Sequence, residues 1–130
     1  MHYIYISVAQ QYNFEPFSVN EGLPQSQVNV IFEDSRGYLW FGTAGGGICQ
    51  YDGITFKQYK EKDGLGGPII TGISETSNGN IWIGATWGGV TRFNGKNFLT
   101  IGMREGLLSD GSNCLVVDDN DMVWIGSNSG

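Results

Sequence analysis

Few residues in this chain are of types that do chemistry, and their spacing limits them further. The single histidine is His2, at the extreme N-terminus, which excludes histidine-based triads and multi-histidine metal sites. Asp118, Asp119 and Asp121 form the densest carboxylate group. An EF-hand calcium loop needs a glycine at its sixth position and a closing glutamate, and neither follows, so the group reads as an exposed hairpin turn. Glu33 and Asp34 are a pair of acids such as glycoside hydrolysis employs, but neighbours on a strand point to opposite faces, and a turn is the simpler reading. Gly45-Gly46-Gly47 lacks the Lys-Ser/Thr and the helix start that a phosphate cradle requires. Cys49 and Cys114 have no metal-like spacing; two unpaired, partly buried thiols are expected, with a disulfide as the alternative. No catalytic residue, metal set or cofactor motif emerges, and a non-enzymatic role is expected.

The elements that carry these residues are set by an internal repeat. Trp40, Trp82 and Trp124 are spaced by 42 residues, as are Gly42, Gly84 and Gly126, the Gly-Leu pairs at 22, 64 and 106, and Phe14, Phe56 and Phe98. Each unit reads as four short strands. The first is Val28 to Phe32, repeated as Ile70 to Ser74 and Asn113 to Val117. The second is Tyr38 to Gly42, repeated as Asn80 to Gly84 and Met122 to Gly126. The third is Ile48 to Tyr51, then Val90 to Phe93, and the fourth is Thr55 to Tyr59, then Asn97 to Ile101. Asp52-Gly53 and Asn94-Gly95 predict type I′ hairpin turns. Four antiparallel strands in about 42 residues are the content of one β-propeller blade, so the expected fold is all-β, about three blades of an incomplete ring. Each Trp should fill the space between neighbouring blades, with the Gly two places on permitting close approach.

This organisation predicts an N-terminal tail over 1–11, either an edge strand or the clipped end of a secretory segment, followed by propeller repeats over 12–130. Complete units fall at about 28–59 and 70–101, and partial ones at 12–18, where Phe14 to Phe17 reads as a fourth strand, and at 112–130. Three blades do not close a ring, since propellers use about four to eight. The chain is therefore expected either to be a fragment of a longer protein or to close its ring as a homo-oligomer. In the second case Ile6 to Phe17 would supply missing strands and two chains would make six blades.

Composition agrees with a folded β protein: 40% of the 130 residues are hydrophobic, 15% are charged, and 21 glycines against three prolines punctuate many turns. A net charge of −6 and a pI near 4.5 argue against nucleic acid as a partner. Lys57, Lys60 and Lys62 form the sole local basic cluster and read as a solvated face. No stretch is long and apolar enough to span a bilayer.

Because packing and turns explain the repeat, departures from it are the better guide to function. Trp87 stands where the other units have Gly45 and Ser129, in the second-to-third-strand loop, just before Gly88-Gly89. An exposed Trp there would stack on a sugar ring or anchor a partner; inter-blade packing is the competing reading. Arg92 and Arg36 are its candidate polar companions in ligand binding.

The residues Phe14, Phe17, Gly22-Leu23, Val28, Ile31, Glu33-Asp34, Gly37, Leu39-Trp40, Gly42-Thr43, Gly46-Gly47-Ile48 and Tyr51-Asp52-Gly53 together resemble the two-component regulator propeller repeat. The resemblance runs from about residue 12 to 130, with Thr76 in place of the turn Asp and Asp121 in place of the turn Gly. It implies the periplasmic sensor region of a bacterial histidine kinase, hybrid systems included, an extracytoplasmic oligosaccharide as ligand, and a kinase domain as partner. The alternatives are a lectin-like binding protein that self-assembles into a ring and a propeller lyase or hydrolase. The lack of a usable His and the presence of only Arg36, Arg92 and Arg104 weigh against the enzymes.

Overall fold

A computed structural model describes residues 12–130; the tail or edge strand expected over 1–11 lies outside them. Among the described residues, ten strands form three antiparallel sheets and no sheet closes on itself. The first sheet runs β1 (Val28–Glu33), β2 (Leu39–Thr43), β3 (Ile48–Tyr51) and β4 (Phe56–Tyr59), each strand paired with the next. The second repeats it as β5 (Ile70–Glu75), β6 (Ile81–Ala85), β7 (Val90–Phe93) and β8 (Phe98–Ile101). The third is β9 (Cys114–Val117) paired with β10 (Val123–Gly126). The first strands β1, β5 and β9 pack side by side, so the sheets fan out around a common axis as propeller blades do.

Strand alternation sends one side chain of each pair forward and the next backward. Phe41 and Cys49, cross-strand partners, face back into a small core with Leu23. Trp40 faces forward and is fully buried against the second sheet. Its ring stacks on Tyr59 with centroids 6.1 Å apart and meets Phe93 edge-on at 5.6 Å. Burying an indole removes roughly 150–250 Å² from water, worth about 4–6 kcal/mol before entropy. Close approach of the sheets requires the glycine two places on: a Cβ at Gly42 would sit 2.4 Å from Ile70 Cγ2.

The inter-blade expectation fails at the third tryptophan. Trp40 has a four-stranded sheet in front of it and is fully buried, Trp82 faces only β9 and β10 and is half-buried, and Trp124 has no sheet in front of it among the described residues and is 59% exposed. Two further expectations are corrected. Residues 14–17 form no strand: a fourth strand bonds to the third strand of its own blade, the described residues supply none there, and Pro16 lacks an N–H. Phe17 nevertheless takes the seat of Tyr59 one unit earlier. It lies 5.5 Å from Tyr51 and 5.6 Å from Phe56, as Tyr59 lies 5.5 Å from Phe93 and 5.1 Å from Phe98.

The Asp-Gly and Asn-Gly turns are four-residue loops rather than two-residue type I′ turns, because Tyr51 pairs with Phe56 and Phe93 with Phe98. Asp52 captures the backbone instead, its Oδ1 accepting from Ile54 N at 2.8 Å and Thr55 N at 2.7 Å, an Asx turn. The linkers between blades contain single 3₁₀ turns at Glu61–Asp63 and Met103–Glu105. Each ends on a glycine at φ 108°, Gly64 or Gly106, and in the first linker that reversal drives the following Leu65 into the core at 3% exposure. The Gly-Leu signature is thus a helix stop and a plug.

Candidate functional site

Two rims result from this topology. The linkers and the β2–β3 and β6–β7 loops share one; the β1–β2 and β3–β4 turns and their counterparts share the other. Trp87 stands on the linker rim and is 66% exposed among the described residues. Its loop is clamped from both sides. Thr86 N donates to Ile69 O at 2.9 Å in the linker before the second sheet, and Gly89 N donates to Asp110 O at 2.6 Å in the linker after it. Gly88 and Gly89 hold φ of 82° and 80°, where a side chain is strained. A Cβ at Gly67 would lie 2.3 Å from Trp87 O, and one at Gly111 would lie 2.1 Å from Thr86 O. The backbone is therefore bedded tightly between two glycine linkers while the indole is exposed. Gly67 and Gly111 were visible in the sequence only as linker residues; their role needs the loop to lie on them.

The structure does not bring the two arginines to Trp87. Arg92 is the third residue of β7, opposite Trp82 in register, so it points to the same sheet face as that indole, away from the linker rim. Arg36 is on the opposite rim, in the β1–β2 turn, where Nη2 donates to Asp34 Oδ2 at 2.8 Å and the guanidinium lies 5.3 Å from the Tyr38 ring centroid.

The acids flagged by the sequence are turn organisers. Asp34, 4% exposed, accepts from Arg36 N and Tyr38 N at 3.0 Å each through Oδ1, and from Trp40 Nε1 at 2.9 Å through Oδ2. Burial works against its ionisation, but the Trp40 indole, the Arg36 guanidinium and the Tyr38 amide outweigh it and hold the carboxyl below the ordinary aspartate range. Asp118 repeats the arrangement, accepting from Trp124 Nε1 at 2.8 Å, and that bond and the Met122 amide lower its pKa as well. In the middle unit Thr76 cannot reach: its hydroxyl donates to Asn78 Oδ1 at 2.6 Å, and the buried Trp82 Nε1 has no partner among the described residues. Asp121 holds φ 62°, the place of the turn glycine, and its carboxylate accepts from Ser77 N at 2.7 Å and from the Ser77 hydroxyl. Glu75 grips Ser35 N and Oγ at 2.7 Å each, so successive blades are latched at this rim by a serine and an acid.

Among the described residues no cluster of three His, Cys, Asp or Glu is placed to hold a metal ion. The cysteines are unpaired: Cys49 is buried, which pushes its thiol up to about 12, and Cys114 is exposed.

Comparison with known proteins places this geometry. The two component regulator propeller family matches residues 22–45 and 64–87. No curated protein sequence matches the chain. Among solved structures, the extracellular domain assigned to a hybrid two component system, BT3049, from B. thetaiotaomicron superposes with a TM-score of 0.76 at 26% identity, over 88% of this chain and 16% of that one. The extracellular domain assigned to a one component system, BT4673, from the same organism superposes with a TM-score of 0.67 at 22% identity, over 79% of this chain and 16% of that one. The chain thus spans about one sixth of each neighbour, and the likeness to the first supports an extracytoplasmic location. Its fold is that of propeller blades, and its repeat is similar to the two component regulator propeller family over residues 22–45 and 64–87 and to the extracellular domain of a hybrid two-component system.

Proposed function

We propose that this chain is a non-enzymatic ligand-binding part of a two-component sensor and that its ligand is an extracytoplasmic oligosaccharide. The observation that carries the reading is Trp87, an indole 66% exposed on a loop whose backbone is clamped between two linkers. An exposed aromatic face on a clamped backbone suits the apolar face of a pyranose. Signal output would lie in a kinase domain joined to the propeller, as in hybrid two-component systems. The test is a thermal-shift screen against neutral and acidic oligosaccharides. Stabilisation by one sugar class that vanishes in Trp87→Ala supports the reading; no stabilisation by any sugar rejects it.

A second reading concerns what covers the open face of β9 and β10. Because Phe17 seats on the first sheet as Tyr59 seats on the second, a head-to-tail second copy would set its Phe17 and Tyr51 against Trp124. These are the places that Tyr59 and Phe93 take at Trp40. Two copies would then close six units as a self-assembling lectin-like ring. Light scattering that gives a well-behaved monomer sinks this reading and leaves the first untouched.

A further inference from the structure

The rim opposite Trp87 carries a second candidate site that the repeat does not explain. Tyr38, Gln50, Asp52, Thr55 and Lys57, drawn from the start of β2, from β3, from the β3–β4 loop and from β4, line a shallow depression of about 130 Å³. Gln50 and Lys57 are directly opposed in register, so both side chains rise on the same face. The Tyr38 hydroxyl, the Gln50 amide and the Lys57 ammonium make no hydrogen bond or ion pair with other described residues. Lys57 Nζ instead lies 5.2 Å from the Tyr59 ring centroid, and Arg36 lies over the Tyr38 ring at 5.3 Å, so both aromatic side chains are braced by a cation. The Asp52 carboxylate is fixed by Ile54 N, Thr55 N and Thr55 Oγ1 at 2.8, 2.7 and 3.1 Å, and those bonds keep its pKa below the usual value.

The fold does not require these residue types. One repeat later the same positions hold Asn80, Arg92, Asn94, Asn97 and Leu99, and the second sheet forms all the same. The first unit therefore gathers a fixed carboxylate, an ammonium, an amide with both donor and acceptor, and a phenol where packing asks for none of them.

We infer that this depression is a binding subsite for one neutral pyranose ring, separate from the Trp87 platform. Its charges balance, since Lys57 stands beside Asp52, and this disfavours a charged ligand. Its lining combines a donor, Lys57, with groups that both donate and accept, the Tyr38 hydroxyl and the Gln50 amide, and sugar hydroxyls likewise donate and accept. Its volume lies below the roughly 300 Å³ of a whole-ligand pocket, so it holds a single ring of a longer chain. The site does not depend on the Trp87 reading, because the two lie on opposite rims.

The test uses amide chemical-shift titration of the isotopically labelled chain with galactose, with galacturonate and cyclohexanol as the contrasting probes. Galactose should saturate with a dissociation constant of the order of 1 mM and shift the amides of residues 50–57, and both contrasting probes should bind at least about fivefold more weakly. Tyr38→Asn and Lys57→Leu install the residues that the second sheet already tolerates, so both variants should keep the wild-type spectrum elsewhere. Each should weaken galactose at least fivefold, whereas Trp87→Ala should leave these shifts unchanged. Galacturonate binding more tightly than galactose, shifts that map only to the Trp87 loop, or unchanged affinity in both variants would each overturn the assignment.

Discussion

The orphaned indole of the middle blade offers a direct measure of what the turn aspartate does. Trp40 and Trp124 donate to Asp34 and Asp118 at 2.9 and 2.8 Å, but Thr76 leaves the Trp82 N–H buried and unpaired. Replacing Thr76 with Asp should rebuild the missing bond. The third unit shows that no arginine is needed, since Asp118 is satisfied by Asn120 N, Met122 N and Trp124 Nε1 alone, and the second unit offers the matching amides of Asn78 and Asn80. A hydrogen bond to a charged group contributes about 1.5–3 kcal/mol, and an unsatisfied buried donor costs a similar amount. Desolvating the new carboxylate takes back part of this, leaving a gain of about 1–2 kcal/mol. At this chain length that is a rise of roughly 3–10 °C in Tm. Urea and thermal unfolding followed by far-UV circular dichroism would measure it, with Trp82→Phe as the control. In the Thr76→Asp background Trp82→Phe should cost more than it does in the native chain, where it removes no bond. A Thr76→Asp variant no more stable than the parent, or an equal cost of Trp82→Phe in both backgrounds, would refute the reasoning.

Three other outcomes follow from the same contacts. Because the Asp34 pKa is depressed in the fold, its contribution is present above the unfolded value near 3.9 and is lost as pH falls through the lower folded value. Unfolding free energy measured from pH 7 down to 2 should drop in that window, and Asp34→Asn should flatten the drop while lowering stability at pH 7. Ellman's reagent should titrate Cys114 quickly in the native protein and Cys49 only on unfolding, as burial holds the latter's pKa at about 12. Trp124→Ser should lower the unfolding free energy in urea by no more than about 1.5 kcal/mol, the loss of its exposed bond to Asp118, whereas Trp40→Ser should cost more than about 3 kcal/mol.

What could be read from sequence was whatever packing repeats. The Trp ladder, the strands of each sheet and the departure at Trp87 depend on a residue's place in a 42-residue period, and such places are visible without coordinates. The hairpin turns were misread because Asp52 and Asn94 bind backbone amides with their side chains, which lengthens the loop; the dipeptide alone does not show this. Phe14 to Phe17 misled because an aromatic spacing persists where the hydrogen-bond partner of a strand does not. The depression around Gln50 was not legible, since Tyr38 and Lys57 are brought to it only by the registers of β2, β3 and β4. Residue type alone pairs Arg36 and Arg92 with Trp87, and strand direction separates them.

The graded covering of the three tryptophans also sets how the molecule opens. In a stacked array each unit draws its stability from its neighbours, and among the described residues β9 and β10 have a neighbouring sheet on one side. Amide protons of β9 and β10 should exchange with solvent by brief local detachment, while those of β2 and β6 wait for the whole stack to come apart. A further blade arriving at the Trp124 face would lock β9 and β10 and slow their exchange.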